Sequence, residues 1–239
     1  MYKNYIFDLY GTLVDIHTDE SSTLLWEKLS LFYSFKGAIY SAEELKTSYL
    51  QNVKLKQTSI TNTKYPDFPI EEIFNSLFED KHIKVSKDTV NDAAQLFRIL
   101  SIEYIKLYDG VIELLELLKK NSKKIYLLSN AQRIFTLYEM RLLDIEKYFD
   151  GICFSSDYYV CKPDMKFYNT IIGKFNLKKE ESIMIGNDFI ADIQGAAAIG
   201  LDSLYIDSNL SPEITTPLQS NFSIMSGNVR EVAPLIVNS

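Results

Sequence analysis

The chain is short of several things, and each shortage excludes a class of protein. Its 239 residues hold only two cysteines, Cys153 and Cys161. Without a Cys-x-x-Cys spacing they form neither the disulfide framework of a secreted domain nor a zinc or redox motif, so a reducing, cytoplasmic setting is expected. The two histidines, His17 and His82, have no partner at ligand spacing. The longest apolar run, Gly195 to Leu201, is far below the roughly 20 residues that cross a bilayer. The N-terminal segment reaches Asp8 straight after Ile6 and Phe7, which does not read as the apolar part of a signal peptide, so neither export nor a membrane is expected. Positive charge is short as well: 25 Lys and Arg face 32 Asp and Glu, a formal net charge of -7. The basic footprint of a nucleic-acid binder is therefore missing.

What is present is 46% hydrophobic content, in a chain long enough to bury roughly 70–75% of its unfolded surface in one or two cores. Residues 4–9 read as a first strand closed by Gly11-Thr12. From about 18 to 106 the only glycine is Gly37, and apolar residues recur at helical spacing, as in Leu24, Leu25, Leu29 and Phe32, or Val90, Ala94, Phe97 and Ser101. The breaks near 37–41, 65–69 and 81–86 predict helices over 21–36, 42–58, 70–80 and 87–105.

After Tyr108-Asp109-Gly110 helix and strand alternate. Strands are expected at 125–128, 151–154, 183–185 and 204–206, and helices at 111–120, 131–147, 164–175 and 188–199. The tail from Ser208 reads as a loop, a strand and a short helix without evident chemistry. The expected fold is α/β, a doubly wound, mostly parallel Rossmann-like sheet interrupted after its first strand by an all-helical insertion. The core would take residues 1–16 and 107–239, and the insertion 17–106.

Open parallel sheets bind ligands beyond the carboxyl ends of their strands, at the point where strand order reverses. The polar residues expected there are Asp8, Tyr10, Gly11 and Thr12, then Ser129 and Asn130, Lys162, and finally Asn187, Asp188 and Asp192. Four segments carry a likeness: Phe7-Asp8-Leu9-Tyr10-Gly11-Thr12-Leu13-Val14-Asp15, Leu127-Leu128-Ser129-Asn130, Cys161-Lys162-Pro163-Asp164, and Ile185-Gly186-Asn187-Asp188-Phe189-Ile190-Ala191-Asp192. In these segments and their order the chain resembles the haloacid dehalogenase-like superfamily of hydrolases. The helical insertion matches that superfamily in position only, as a cap domain.

The resemblance implies that Asp8 is the nucleophile and that a carboxylate there forms a covalent aspartyl intermediate later hydrolysed by water. It implies Mg²⁺ as cofactor, relieving repulsion between the carboxylate and a phosphate dianion, with Asp8 and the Tyr10 carbonyl among the ligands. Thr12 and Ser129 would bind phosphate oxygens, helped by backbone N–H groups around Gly11 and Asn130. Lys162 would pair with the nucleophile and the transferring group. The fourth segment has two registers: either Asn187 stands where a metal-binding aspartate is usual, or Asp188 is the direct ligand with Asp192 in support. The second keeps two carboxylates near the metal and is preferred.

Tyr10 departs from the phosphatase pattern, which places a second aspartate two residues after the nucleophile as general acid and base. A phenol, only about 0.1% ionised at neutral pH, donates a proton but rarely accepts one. Tyrosine here is typical of the superfamily's 2-haloacid dehalogenases. Against that activity, the first arginine is Arg98, whereas those enzymes carry a substrate-binding arginine about thirty residues after the nucleophile, where this chain offers Lys36. Tyr168 matches a dehalogenase position, at a helical spacing that also suits a core aromatic.

The expected activity is therefore Mg²⁺-dependent hydrolysis of a small phosphomonoester, with 2-haloacid dehalogenation and a non-catalytic metabolite- or partner-binding domain as alternatives. The expected partner is a small phosphorylated metabolite, with no nucleic acid or membrane, for a monomer or homodimer. Trp26, Phe32 and Tyr33 are candidates to face the site from the cap.

Overall fold

The computed structural model of the chain describes residues 2–236. Strand β1 (Asn4–Phe7) is followed by β2 (Val14–Thr18), the helices α1 (Thr23–Phe35), α2 (Ala42–Ser59), α3 (Glu71–Glu79) and α4 (Lys87–Ser101), and β3 (Ile102–Leu107). Then come α5 (Val111–Lys120), β4 (Lys124–Ser129), α6 (Arg133–Leu142), β5 (Gly151–Phe154), α7 (Met165–Lys174) and β6 (Ser182–Gly186). A π-helical turn over Phe189–Gln194 runs into α8 (Gly195–Ala198), before β7 (Asp202–Ile206), β8 (Phe222–Ile224) and α9 (Val232–Ile236). Met1 and residues 237–239 of the expected core lie outside the described residues.

Side chains alternate across the central strands, as a sheet covered on both faces requires. Tyr5 and Phe7, Ile125 and Leu127, and Ile183 and Ile185 point to one face, where Val111, Leu114, Leu115 and Leu118 of α5 and Met140 of α6 cover them. Ile6, Tyr126, Leu128 and Met184 point to the other, under Phe167, Tyr168 and Ile171 of α7. The result is a six-stranded sheet in the order β5-β4-β1-β6-β7-β8, with every neighbouring pair parallel. The chain builds outward from β1 through β4 to β5, then returns to pair β6 with the other edge of β1. Strand order therefore reverses around β1, and the carboxyl ends of β4, β1 and β6 share one crevice.

The expected helix over 87–105 is corrected: α4 stops at Ser101, and Ile102–Leu107 is a strand. It pairs antiparallel with β2, Val14 opposite Leu107 and His17 opposite Tyr104, in a two-stranded ribbon that carries the insertion. Ile105 keeps the helical spacing of Phe97 and Ser101, yet it and Leu107 pack against the core of the sheet as strand residues. The helix expected over 188–199 is likewise divided, a wide π-turn followed by one α-turn.

The insertion has its own apolar centre, drawn from Leu25, Leu29, Tyr49, Phe74, Leu77 and Phe97 among others, and Ile134 and Phe135 of α6 complete it. Trp26 and Tyr33 belong to this centre and not to the crevice: the Trp26 indole donates to the Glu20 carbonyl at 2.9 Å and the Tyr33 hydroxyl to the Phe74 carbonyl at 2.8 Å. Phe32 packs on the same cluster. Leu24, one of the periodic apolar positions, is 56% exposed because it falls just off the buried stripe that Leu25 and Leu29 define.

Phe97 is the centre of this packing, with ring centroids 5.7 Å from Trp26, 5.2 Å from Tyr49, 5.4 Å from Phe74 and 6.3 Å from Phe135. Phe97→Ala is expected to cost about 3–5 kcal/mol in urea denaturation. Leu24→Ala should stay within roughly 0.5 kcal/mol of the parent, and equal losses would contradict the assignment of the buried stripe.

Candidate active site

β1 ends one residue before Asp8, so this carboxylate emerges at the reversal point of the sheet. Lys162, in the loop after β5, reaches the same place. Its ammonium donates to Asp8 Oδ1 at 2.7 Å and to Asp192 Oδ1 at 2.6 Å. Lys162 is 3% exposed and Asp192 1%, so the three charges meet almost without water. Burial works to lower the Lys162 pKa, but the charges of Asp192 and Asp8 reverse that and hold the ammonium above its ordinary value. Burial raises the Asp192 carboxyl above the usual carboxylate range, against the opposing pull of Lys162.

Two asparagines and two glycines set this geometry. The Asn130 amide donates to the Lys162 carbonyl at 3.0 Å, and its oxygen accepts the Lys162 N–H at 2.7 Å, clamping that peptide from both sides. Gly11 has a φ of +82°, and a Cβ there would lie 2.3 Å from Asn187 Nδ2, so the turn after Asp8 needs glycine for both conformation and space. Thr12 Oγ1 donates to Asn187 Oδ1 at 3.2 Å. A Cβ on Gly186 would fall 2.2 Å from the Asp192 carboxyl carbon, so the buried acid lies directly on the end of β6.

Asp188 caps the π-turn: its Oδ1 accepts the N–H groups of Ile190 and Ala191, both at 2.8 Å. Its own N–H donates to Asp192 Oδ2 at 2.9 Å. Both Asp192 oxygens are thus engaged by protein, one by Lys162 and one by backbone.

A cavity of about 180 Å³ opens here, lined by Asp8, Tyr10, Ser129, Asn130, Lys162, Asn187, Asp188 and Asp192, with Ala191, Leu210 and Pro212 as its apolar wall. The structure brings together eight of the ten residues picked from sequence. Gly11 and Thr12 stand behind the lining, against Asn187. Leu210 and Pro212 come from the tail that carried no chemical signal, and an apolar pair in a loop offers none to find.

Tyr10 is turned differently from what a proton donor at Asp8 requires. Its hydroxyl donates to Glu139 Oε2 and takes a hydrogen bond from Thr136 Oγ1 at 2.9 Å. Arg98 Nε binds the other Glu139 oxygen at 2.5 Å, and its guanidinium lies 5.9 Å from the Tyr10 ring. Burial and then the Glu139 charge push the phenol above its ordinary pKa, despite Arg98. Arg98 thus sits beside Tyr10 with its Nε occupied by Glu139 and does not line the cavity. Lys36 is exposed and lies over the Phe32 ring, away from the cavity.

A second contact ties the insertion to the core next to Lys162. Asp67 accepts from Ser155 Oγ at 2.5 Å and Gln132 Nε2 at 2.9 Å, and the Cys161 N–H donates to the Tyr65 carbonyl at 2.8 Å. In the sequence, residues 65–69 signal only a break between helices. Burial and the Asp67 charge push the Cys161 thiol up to about 12, which leaves it a packed, unreactive group. Tyr168 is fully buried with its hydroxyl on the Ala191 and Asp192 carbonyls at 2.6 and 3.0 Å, a core role.

Lys162→Met leaves Asp8 and Asp192 without their shared cation and is expected to cost about 3–5 kcal/mol in urea denaturation. Adding Asp192→Asn to that variant should restore part of the loss. An unchanged midpoint in Lys162→Met would show that the three charges are not coupled.

Residues 2–200 match the model of the haloacid dehalogenase-like hydrolase family. The chain is 24% identical over 209 residues to pyrimidine 5'-nucleotidase PynA of Streptococcus pneumoniae, covering 85% of this chain and 83% of that one. It is 28% identical over 94 residues to glyceraldehyde 3-phosphate phosphatase of Methanothermobacter thermautotrophicus, a match that takes in 39% of this chain and 42% of that protein. Among solved structures, a 2-haloacid dehalogenase from Pseudomonas syringae pv. Tomato superposes with a TM-score of 0.67 at 16% identity, over 100% of this chain and 99% of the other. A HAD phosphatase from Thermococcus onnurineus gives 0.61 at 18%, over 98% and 97%. At these identities the superpositions speak for the fold alone, while the family match spans most of the sequence: this chain belongs to the haloacid dehalogenase-like hydrolases.

Proposed function

We propose that the chain is a Mg²⁺-dependent phosphatase of small phosphomonoesters, working through a phosphoryl group carried on Asp8. The observation that supports this most is the arrangement at one cavity of a carboxylate held at Oδ1 by a buried ammonium, with a second carboxylate, Asp188, on the same wall. Asp8 attacks phosphorus as the bond to the leaving oxygen breaks, and that oxygen takes its proton from water, since the Tyr10 hydroxyl is engaged by Glu139. Water then attacks the same phosphorus, Asp8 departs as carboxylate, and the water proton leaves with inorganic phosphate. Lys162 holds Asp8 in its attacking orientation and offsets negative charge as phosphate approaches. Ser129 would bind phosphate oxygens from the cavity wall, whereas the expected nest of backbone N–H groups is already engaged: Ala131 N–H by Ser155 Oγ at 2.8 Å, and those of Gly11 and Thr12 by the Val14 and Leu9 carbonyls.

The donor set fits Mg²⁺. That ion takes one or two carboxylates with water and substrate oxygens, and not an all-protein cage. Among the described residues no three His, Cys, Asp or Glu side chains gather to hold a metal by themselves. Asp8, Asp188 and the Tyr10 carbonyl would hold the ion, whereas Asp192 supports from behind with both oxygens engaged. The Asn187 amide is directed to Thr12 and Ser211, which favours the register with Asp188 as ligand. Bound there, Mg²⁺ supplies the positive charge that a chain of net charge -7 needs to accept an anion.

Tyr10 acts through its backbone, since its hydroxyl serves Glu139. The helical insertion, hinged on the β2–β3 ribbon, acts as the cap over residues 17–106. Dehalogenation remains the second reading because Tyr10 suits a leaving group that needs no proton, but no arginine lines the cavity to grip a carboxylate substrate. A non-catalytic binding domain is the third. No helix among the described residues is long and apolar enough to cross a membrane. Cys153 and Cys161 are both free thiols, in keeping with a cytoplasmic protein.

Asp8→Asn should lower phosphate release from small phosphomonoesters by roughly 10⁴-fold or more, and chelation of Mg²⁺ should abolish release until the ion is restored. Phosphate release retained in Asp8→Asn contradicts the mechanism. Halide release from 2-haloacids without metal would favour the second reading, and turnover of neither substrate class the third.

A further inference from the structure

The cavity at Asp8 receives no side chain from residues 17–106; its apolar wall is Leu210 and Pro212, from the loop after β7, with Ala191. We infer that this loop limits how large a leaving group the site admits, with Leu210 as the specificity-determining residue. The inference rests on the reading of the site as a phosphatase and adds to it a substrate class: phosphomonoesters with a short organic stem.

The loop is held in place on both sides of Leu210. On one side, Asn209 Nδ2 donates to Asp15 Oδ1 at 2.9 Å and Asn209 Oδ1 accepts the Tyr108 hydroxyl at 2.6 Å. Asp15 is buried in β2 and also takes the Tyr104 hydroxyl at 3.1 Å, so the grip comes from the ribbon at the base of the insertion. On the other side, Ser211 Oγ accepts the Ser208 N–H at 2.9 Å and the Asn187 amide at 3.5 Å, and Asn187 itself lines the cavity. Pro212 follows with a fixed φ. Leu210 thus stands between two anchored neighbours and cannot swing away as a free loop residue would.

Size supports the same conclusion. About 180 Å³ is below the roughly 300–1,000 Å³ of pockets that enclose drug-sized ligands. A phosphoryl group and a short stem fit, whereas a bulky aromatic or nucleoside group meets Leu210. A hydrophobic wall discriminates by one or two carbon groups at roughly 10–200-fold, enough to choose between such substrates.

The test compares ethyl phosphate with 1-naphthyl phosphate in the full chain with Mg²⁺. In parallel, calorimetry measures binding of ethylphosphonate and 1-naphthylphosphonate, which needs no turnover. Leu210→Ala is expected to raise the naphthyl-to-ethyl ratio of kcat/KM, and of affinity, by roughly ten-fold. Leu210→Trp should lower both ratios, and Asn209→Ala, which frees one anchor, should raise them without touching the wall. Ratios unchanged in all three variants overturn the inference. If the phosphonates bind and respond as expected while no ester is hydrolysed, the wall stands and the phosphatase reading falls. If neither phosphonate binds nor either ester turns over, both fall.

Discussion

The site depends on one buried ammonium. Lys162 joins Asp8 after β1 to Asp192 in the π-turn after β6, and its own backbone is held by Asn130 after β4. Segments far apart in sequence are thereby locked at the single place where the strand order reverses. One cation is shared by two carboxylates in a nearly dry setting, so positive charge is in short supply there and loss of Lys162 destabilises the cluster sharply. The same imbalance explains why a cation and an anionic group would be welcome together at the cavity. Gly186 and Gly11 follow from it: each is small where the Asp192 carboxyl or the Asn187 amide must lie against backbone.

Around the triad, the insertion and the core are joined at more points than the ribbon alone. Tyr10, one turn from the nucleophile, is fastened to α6 through Glu139 and Thr136, and Glu139 in turn holds Arg98 of α4. Asp67 is fastened to Gln132 and Ser155 on the opposite side. The residue that departs most from the phosphatase pattern therefore has a structural use, linking the turn that carries Asp8 to the base of the helices. That use gives an aromatic hydroxyl a role at a position where an acid is otherwise expected, since the long phenol spans from the turn to Glu139 and Thr136 on α6.

The parallel core was legible because each of its elements shows a local signal. α5 and β5 begin and end where the periodicity and the glycines predict, at 111–120 and 151–154. The β2–β3 ribbon was not legible: its partners, such as Val14 and Leu107, are remote in sequence, and the apolar residues of β3 continue the helical spacing of α4 by coincidence. At the site, charged and hydroxyl residues at strand ends pointed to the crevice correctly. Leu210 and Pro212 did not, because an apolar wall is defined only by what it faces. Tyr10 stands out by its place two residues after Asp8, but the destination of its hydroxyl depends on Glu139, a residue whose place on a helix face says nothing of β1.

The central claim is that Asp8 carries the phosphoryl group. The direct measurement is rapid acid quench of the protein during turnover of a small phosphomonoester with Mg²⁺, followed by peptide mass spectrometry. The account predicts one added phosphoryl group on the peptide containing Asp8, labile to hydroxylamine as an acyl phosphate is. Steady phosphate release with that peptide unmodified at every quench time, or the label on another residue, would contradict it.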